Sequence, residues 1–478
     1  MSADEIFFLC AVVSSALLIS YWSARTHHDT DRFYAASRGL TGMQNGLAIA
    51  GDFASAASLL GVCGAMAQFG FDGFLYAASF FASYLLLWTV AEPVHRLGRY
   101  TLADALERKL RRGSVRTAVA INTLVISIAY LIPQLVAAGQ LAQSVFGLPH
   151  PAAVWLMGGL MTLYVAVGGM VSTSWVQMVK SVLMLATVAL LTLMLLARFE
   201  WNLPALLAAA PSGRTAPGAL YSSAASALSV HVPIVLGTLG MPHILVRFLT
   251  VPSPVVARRS LAAATGALGL FYLMLLALGW GVLALGIRPG PGDPHGNLVL
   301  LTLTQALGGR FFTAFVSAVA LTTILAVVTG LLLCATGALS HDLLHRGASS
   351  SGDRSLRSAR LCAGAIGIAA TGAAAMVYEG SVTTLVSLVF TWAAATHTPV
   401  LLCTFYWRGF TARGALAGLC SGSAATVALI AAWPPWSAVS SPLPAGLAAI
   451  AAGFAGCVLG SLAGRQKAPA SAGTAHEG

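Results

Sequence analysis

The stretch MQNGLAIAGDFASAASLLGVCGAMA, residues 43–67, decides how the rest of the chain is interpreted. It is long enough to cross a bilayer, but a Gly51-Asp52 pair stands near its middle, and Ser55 and Ser58 follow at helical spacing. A carboxylate in hydrocarbon is costly and marks a pathway or a binding site, while glycine weakens a helix. We therefore expect a broken transmembrane helix that binds a solute or an ion at the break.

The composition places this stretch in an integral membrane protein. Of the 478 residues, 57% are hydrophobic and 9% are charged, and the mean hydropathy is +0.82. Soluble domains carry about 25% charged residues. The sequence contains no GxGxxG opening a βαβ unit, no P-loop and no HExxH. The spans also show no convincing cluster of a nucleophile with a base or of metal ligands, so we expect neither an enzyme nor a bound cofactor.

Thirteen apolar segments are long enough to cross a membrane, and they leave no room for a large soluble domain. Numbered as spans 1–13, their approximate limits are 5–23, 43–67, 72–94, 115–143, 152–169, 174–197, 225–248, 259–286, 312–341, 360–377, 381–404, 412–433 and 442–464. Residues 1–464 are predicted to form one membrane domain, followed by a disordered cytoplasmic tail, 465–478. Connections 198–224 and 287–311 have room for short surface helices, and loop 101–114 has an amphipathic helical pattern.

The basic residues indicate an orientation. Of the 26 Lys and Arg residues, 22 fall on one set of alternating span ends and 4 on the other. Because cytoplasmic loops carry the excess of Lys and Arg, we predict an outside N-terminus and a cytoplasmic C-terminus in the cell (inner or plasma) membrane. Arg247, late in span 7, would then meet the cytoplasmic headgroups or, as the alternative, attract substrate at the inner vestibule. The net charge of +11 is thus a topology signal and not a sign of nucleic-acid binding.

A second interruption lies in span 7, where GTLGMPHILVRF, residues 237–248, follows Pro233. Pro and Gly at this density break a helix. The two breaks are five spans apart, in spans that run in opposite directions, which is typical of two five-helix repeats with inverted topology. We predict these repeats at about 43–197, spans 2–6, and about 225–404, spans 7–11.

Five stretches in unbroken order carry a resemblance to a known family. They are NGLAIAGDFASAASLLG (45–61), GRYTLADAL (98–106), YVAVGGMVSTSWVQMVKSVLML (164–185), GTLGMPHILVRFLTVPSPVVARRS (237–260) and ILAVVTGLLLCATGALSHDLL (324–344). From about 33 to about 413 the chain resembles the sodium:solute symporter family, and within it the cation/acetate symporters (acetate permeases) and related monocarboxylate carriers. The resemblance implies an all-α LeuT-type core, thirteen helices and an outside N-terminus.

A monocarboxylate needs backbone N–H groups at the start of a half-helix, hydroxyl groups or one fixed cation. Ser55 and Ser58 follow the first break, and Gly237 and Thr238 lie in the second, where sugar-carrying members of the family have bulky aromatic residues. We predict that these four residues bind the substrate. Small residues suit a small solute only if other side chains close the pocket, and the alternative for the two serines is small-residue helix packing.

The resemblance also implies a sodium site between carbonyl groups of span 2 and groups of span 9. The matching positions in this chain are Gly51, Ala54, Thr323, Ala326 and Val327, with Na⁺ itself possible at Gly51, Ala54 and Thr323. Sodium-coupled members of the family typically have Ser or Thr at the last two positions. Ala326 and Val327 have no hydroxyl, so two oxygen ligands are missing.

Two further residues are candidates for cation coupling. Gln177 stands where sodium-coupled sugar carriers have an acidic residue, and Lys180 follows about one helical turn later. Lys180 is either a snorkelling lysine at the inner end of an apolar run or places its ammonium in the cation position, where proton binding and release would couple transport. Asp52 is the other protonation candidate, and its alternative role is that of a structural partner for a backbone N–H or a lysine.

These features predict a secondary active symporter that imports acetate, propionate or pyruvate with Na⁺ or H⁺ by alternating access. Its partners would be the monocarboxylate, the coupling cation and the lipid bilayer. The alternative is a symporter for another small solute, such as an amino acid or urea. A solute sensor is disfavoured because only about 13 residues follow span 13, and a channel would lack the paired interrupted helices.

Overall fold

The computed structural model describes residues 7, 14, 36–55, 57–290, 293, 295–344, 353–377, 382–432 and 445–465. Every regular element in these ranges is helical. The main helices are Gly42–Phe53, Val62–Phe69, Phe71–Leu97, Leu102–Leu110, Gly113–Phe146, His150–Arg198, Ala224–Gly237, Pro254–Ala284, Val299–Thr336, Asp353–Met376, Val382–Ala395, His397–Tyr406, Ala412–Ala432 and Ala445–Arg465. The predictions for span 1 and for the tail 465–478 fall almost entirely outside the described residues.

Within the described ranges, nine helices are long and apolar enough to cross a membrane, and eleven if each of two bent helix pairs counts as one span. Spans 5 and 6 fall in one assigned helix, His150–Arg198, of which Ser172–Arg198 meets the test for a span. The all-α membrane fold is therefore confirmed, while the number thirteen stays a prediction.

The connections contain short helices where the sequence leaves room for them. Leu203–Ala208 lies in the connection 198–224. Residues 299–308 are helical up to Gly309, whose φ of 70° redirects the chain into span 9. The amphipathic helix Leu102–Leu110 begins with a capping box, in which the side chains and backbone groups of Thr101 and Asp104 bond reciprocally.

Span 2 is broken as predicted. Its two helices, Gly42–Phe53 and Ser58–Phe69, meet at 60°. The first helix ends at Phe53 because Ala54 leaves the helical conformation, with ψ of 88°. Gly51 and Asp52 therefore lie in the last turn of the first half of span 2, directly before the break.

Span 7 is also broken, into Ala224–Gly240 and Pro242–Thr250, which meet at 42°. Met241 between them is extended, with ψ of 108°, because a following proline disfavours the helical conformation. The two broken spans are joined in space, since the Asn45 side chain of span 2 donates to the carbonyl oxygen of Arg247 in span 7 over 3.0 Å.

Candidate functional site

Four buried side chains meet where the broken spans contact spans 6 and 9. They are Asp52, Gln177, Lys180 and Arg247, which we call the central cluster, and none is more than 2% exposed. Arg247 Nε donates to one oxygen of Asp52 in an ion pair. Gln177 Nε2 donates to the other oxygen over 2.6 Å. Both carboxylate oxygens are thus paired, as burial away from water requires.

Lys180 reaches the backbone of span 2. Its Nζ donates to the carbonyl oxygen of Gly51 over 2.5 Å, and the next residue, Ser181, donates to the carbonyl oxygen of Leu47 over 2.7 Å. A Cβ added at Gly51 would lie 2.6 Å from the carbonyl oxygen of Gln177. Glycine therefore permits the close approach of spans 2 and 6, and the ammonium of Lys180 is buried in the protein rather than placed at a lipid headgroup.

The expectation that Arg247 meets the cytoplasmic headgroups is wrong. Its side chain is 1% exposed, and beyond the pair with Asp52 its Nη1 donates to Ser174 Oγ over 2.6 Å and lies 3.4 Å from Met170 Sδ. The short helical turns after Pro242 keep this part of span 7 inside the protein. A charge among apolar residues is as informative here as at Asp52, so the signal was present in the sequence.

The central cluster has a surplus of positive charge. Arg247 and Lys180 contribute two cations, and Asp52 contributes the one carboxylate. The other buried carboxylates among the described residues lie elsewhere: Asp72 accepts from backbone N–H groups of the connection 198–224, and Asp342 pairs with an arginine outside the cluster. A buried positive charge without a carboxylate partner favours the binding of an anion.

Six aromatic rings surround the break in span 2, and we call them the aromatic cage: Phe53, Phe80, Tyr84, Tyr130, Tyr272 and Phe390. The ring of Phe53 lies 4.5 Å from Tyr84 and 5.8 Å from Phe80 between centroids. Every member is buried. Tyr84 Oη has no hydrogen-bond partner among the described residues, so the cage contains one unsatisfied polar group within a largely apolar wall.

The two predicted serines contact this cage. Ser58 Oγ lies 2.9 Å from the hydroxyl of Tyr272, and the Ser55 side chain lies near the hydroxyl of Tyr130. The aromatic members come from five helices and from no single motif, which explains why the sequence did not single them out.

The predicted substrate residues of span 7 lie on another side of the cage. A Cβ added at Gly237 would lie 2.3 Å from the carbonyl oxygen of Phe390, so this glycine permits close backbone packing. Thr238 is fully buried and donates to the carbonyl oxygen of Ile234 over 3.3 Å. The assignment of all four residues to a substrate stays a prediction.

Two of the predicted cation positions, Gly51 and Ala326, contact the central cluster through their carbonyl oxygens. Thr323, Ala326 and Val327 are buried on span 9, as Ala54 is on span 2. Gln177 joins the two spans, because its Nε2 also donates to the carbonyl oxygen of Ala326 over 2.7 Å. Span 9 comes this close because Gly330 has no side chain, and a Cβ there would lie 2.7 Å from Asp52 Oδ1.

Comparison with known proteins agrees with this architecture. The model of the sodium:solute symporter family matches residues 33–422. The uncharacterized symporter YwcA of Bacillus subtilis (strain 168) is 38% identical over 493 aligned positions, which cover 98% of this chain and 96% of the relative.

Solved structures show the same fold. A Na⁺-coupled sialic acid symporter in a substrate-bound, outward-open state superposes with a TM-score of 0.79 at 14% identity, over 99% of both chains. MhsT in complex with L-phenylalanine superposes with a TM-score of 0.55 at 14% identity, over 88% of this chain and 98% of the other. These likenesses confirm the LeuT-type fold that the family resemblance implies.

The two broken spans, the family match over most of the chain and the 38% identical relative all lead to one assignment. The chain belongs to the sodium:solute symporter family and is a multi-pass membrane transporter of a solute, not an enzyme.

Proposed function

We propose that the protein carries short-chain monocarboxylates such as acetate, propionate or pyruvate. The observation that supports this most directly is the surplus positive charge of the central cluster. A carboxylate bound near Arg247 and Lys180 would balance that charge, because Asp52 offsets only one of the two cations. Urea would leave the charge unbalanced, and an amino acid would bring an additional ammonium group of its own.

The aromatic cage supports a small solute. Gly237 and Thr238, at the break in span 7, have small side chains. Phe390 and the other rings of the cage lie around the break in span 2. The cage supports the condition for a small solute, that other side chains close the pocket. Its apolar wall suits the short alkyl group of these acids.

We propose that the solute and a coupling cation, Na⁺ or H⁺, cross by alternating access, with the N-terminus outside and the C-terminus cytoplasmic. On the predicted cytoplasmic side a cavity of about 20 Å³ is lined by Thr101, Met170 and Val246 among others, which leaves room for about one water molecule. Inward release of a solute past this point would require span 7 to separate from its neighbours.

Uptake into proteoliposomes tests the proposal. Labelled acetate is supplied under an imposed sodium gradient and, separately, under an imposed proton gradient. We expect uptake above that of empty liposomes under at least one gradient, inhibited by unlabelled propionate and pyruvate but not by urea or alanine. Uptake under neither gradient would contradict the proposal, and inhibition by urea or alanine alone would favour the alternative solutes.

A matched pair of lysine variants serves as a control. Lys180→Met removes the buried ammonium of the central cluster and is expected to abolish acetate uptake. Lys109→Met removes an exposed lysine from the surface helix Leu102–Leu110 and is expected to leave uptake unchanged.

A further inference from the structure

The cation position that the family resemblance implies is already occupied by side chains of this protein. On span 2, the carbonyl oxygen of Gly51 accepts a hydrogen bond from Lys180 Nζ at 2.5 Å. A sodium ion that used this oxygen as a ligand would have to occupy the space of the ammonium group. Lys180 is 2% exposed, so its charged group cannot move into water without leaving the protein core.

On span 9 the corresponding carbonyl is also occupied. The oxygen of Ala326 accepts from Gln177 Nε2 at 2.7 Å and from Thr329 Oγ1 at 2.6 Å. A carbonyl oxygen has two lone pairs, so both are in use. The side chains of Ala326 and Val327 offer no oxygen at all.

Two buried side-chain oxygens near this position make no hydrogen bond to any described residue. They are Thr323 Oγ1 and Gln177 Oε1. A hard cation in a protein is held by several oxygen atoms, and these two do not replace the carbonyl oxygens of Gly51 and Ala326, which already accept from side chains. The residues present therefore do not fit a sodium ion at this position.

The charges around Lys180 also disfavour a sodium ion at this position. The groups that face Lys180 are the carboxylate of Asp52 on span 2, the guanidinium of Arg247 on span 7 and the amide of Gln177 on span 6. A sodium ion would add a third positive charge beside a single carboxylate, in a region where low dielectric strengthens repulsion. The ammonium supplies that positive charge from the protein itself, without a metal ion that has to be bound.

We infer that the Lys180 ammonium, held on the Gly51 carbonyl, takes the place of the sodium ion that the family resemblance implies, so that this symporter binds no sodium there. The inference deepens the proposed function, because it concerns the coupling ion of the same transporter. It also predicts that a sodium ion at this position does not drive solute uptake.

Binding of sodium-22 to the purified full-length protein tests the inference. At fixed pH and ionic strength we expect no saturable binding by the wild type. Lys180→Ala combined with Ala326→Ser and Val327→Ser frees the Gly51 carbonyl, removes one cation and adds the two hydroxyl groups that are missing on span 9, so we expect saturable binding in this triple variant. Lys109→Ala, the exposed control, should behave as the wild type does.

Two results would overturn the inference. One is saturable sodium-22 binding by the wild type. The other is a folded triple variant that binds no sodium, since Lys180 would then not be the group that excludes the ion. If the triple variant does not fold, thermal melting of the wild type decides: equal Tm values in NaCl and choline chloride support the inference, and a sodium-specific rise in Tm overturns it.

The binding and melting measurements contain sodium and no solute. Their outcome is therefore independent of whether the protein carries a monocarboxylate. Failure of the proposed function would appear instead as the absence of acetate uptake under both imposed gradients.

Discussion

Two groups of charged side chains in this protein have opposite balances. The central cluster has two cations and one carboxylate. The second group, which we call the Arg116 cluster, has one arginine among three carboxylates and comprises Asp104, Glu107, Arg116, His341 and Asp342. Arg116 pairs with Asp104 and Glu107 at 2.8 Å each and with Asp342 at 2.6 Å.

The two clusters differ in how far water reaches their charged side chains. In the Arg116 cluster the side chains of Glu107 and Asp104 are 32% and 13% exposed, so water solvates much of the surplus negative charge. In the central cluster the side chains of Asp52 and Arg247 are each 1% exposed. The ion pairs of the Arg116 cluster therefore connect the surface helix Leu102–Leu110 to spans 4 and 9. In the central cluster the ion pair leaves one basic side chain without a carboxylate partner in the part of the chain that the structure describes.

Among the variants of the two clusters, removal of the Asp52 carboxylate is expected to lower stability and transport the most. Asp52→Asn leaves Arg247 and Lys180 buried with no carboxylate, and breaking a buried ion pair costs about 3–5 kcal/mol. We expect the free energy of unfolding to fall by an amount of this order, measured by denaturant melting in detergent, and acetate uptake to be lost.

A double variant checks that charge balance is the cause. Asp52→Asn combined with Lys180→Met also removes one positive charge, so only Arg247 is left unpaired. We expect part of the lost stability to return. A double variant no more stable than Asp52→Asn would show that the two cations do not share one carboxylate energetically.

The Arg116 cluster should respond less strongly. Arg116→Gln removes hydrogen bonds to charged groups, worth about 1.5–3 kcal/mol, but water can solvate the carboxylates that remain. We expect faster hydrogen exchange in Leu102–Leu110 and in residues 337–344, with no change around the central cluster. Arg112→Gln, at an exposed position, is the control.

Within the same cluster, Glu107→Gln should cost less than about 1 kcal/mol, because partly exposed ion pairs contribute little. Two results would contradict the conclusion that water solvates the carboxylates of this cluster. One is slower hydrogen exchange in Arg116→Gln than in the wild type, and the other is equal destabilisation by Arg116→Gln and Glu107→Gln.

Tyr84→Phe should have the smallest effect on stability, and it tests whether the positive surplus faces the aromatic cage. The hydroxyl has no hydrogen-bond partner among the described residues, so the protein loses no internal bond. If the hydroxyl binds the carboxylate, the KM for acetate should rise about ten-fold, equivalent to about 1.4 kcal/mol. Tyr406→Phe, at a position 62% exposed, should leave the KM unchanged, and an unchanged KM in Tyr84→Phe would remove this hydroxyl from the proposed site.

Local features of the sequence predicted much of this protein. Helix breaks follow from Gly, Pro and a buried carboxylate within a few residues, so both interrupted spans were found. The amphipathic pattern of loop 101–114 likewise indicated a short surface helix. The prediction that Arg247 meets the headgroups fails because it treats span 7 as a straight helix. The chain bends at Met241, so the number of residues from Arg247 to the end of the span does not give its depth in the bilayer.

The sequence by itself determined a membrane transporter with two interrupted spans, because hydropathy, breaks and family motifs are properties of consecutive residues. The tertiary structure alone decided which charges meet. Asp52 and Arg247 are 195 positions apart, and Lys180 lies 129 positions from the Gly51 carbonyl on which it rests. Such contacts depend on how spans 2, 6, 7 and 9 pack against one another. They determine which charged side chains share the central cluster and bring the Lys180 ammonium to the Gly51 carbonyl.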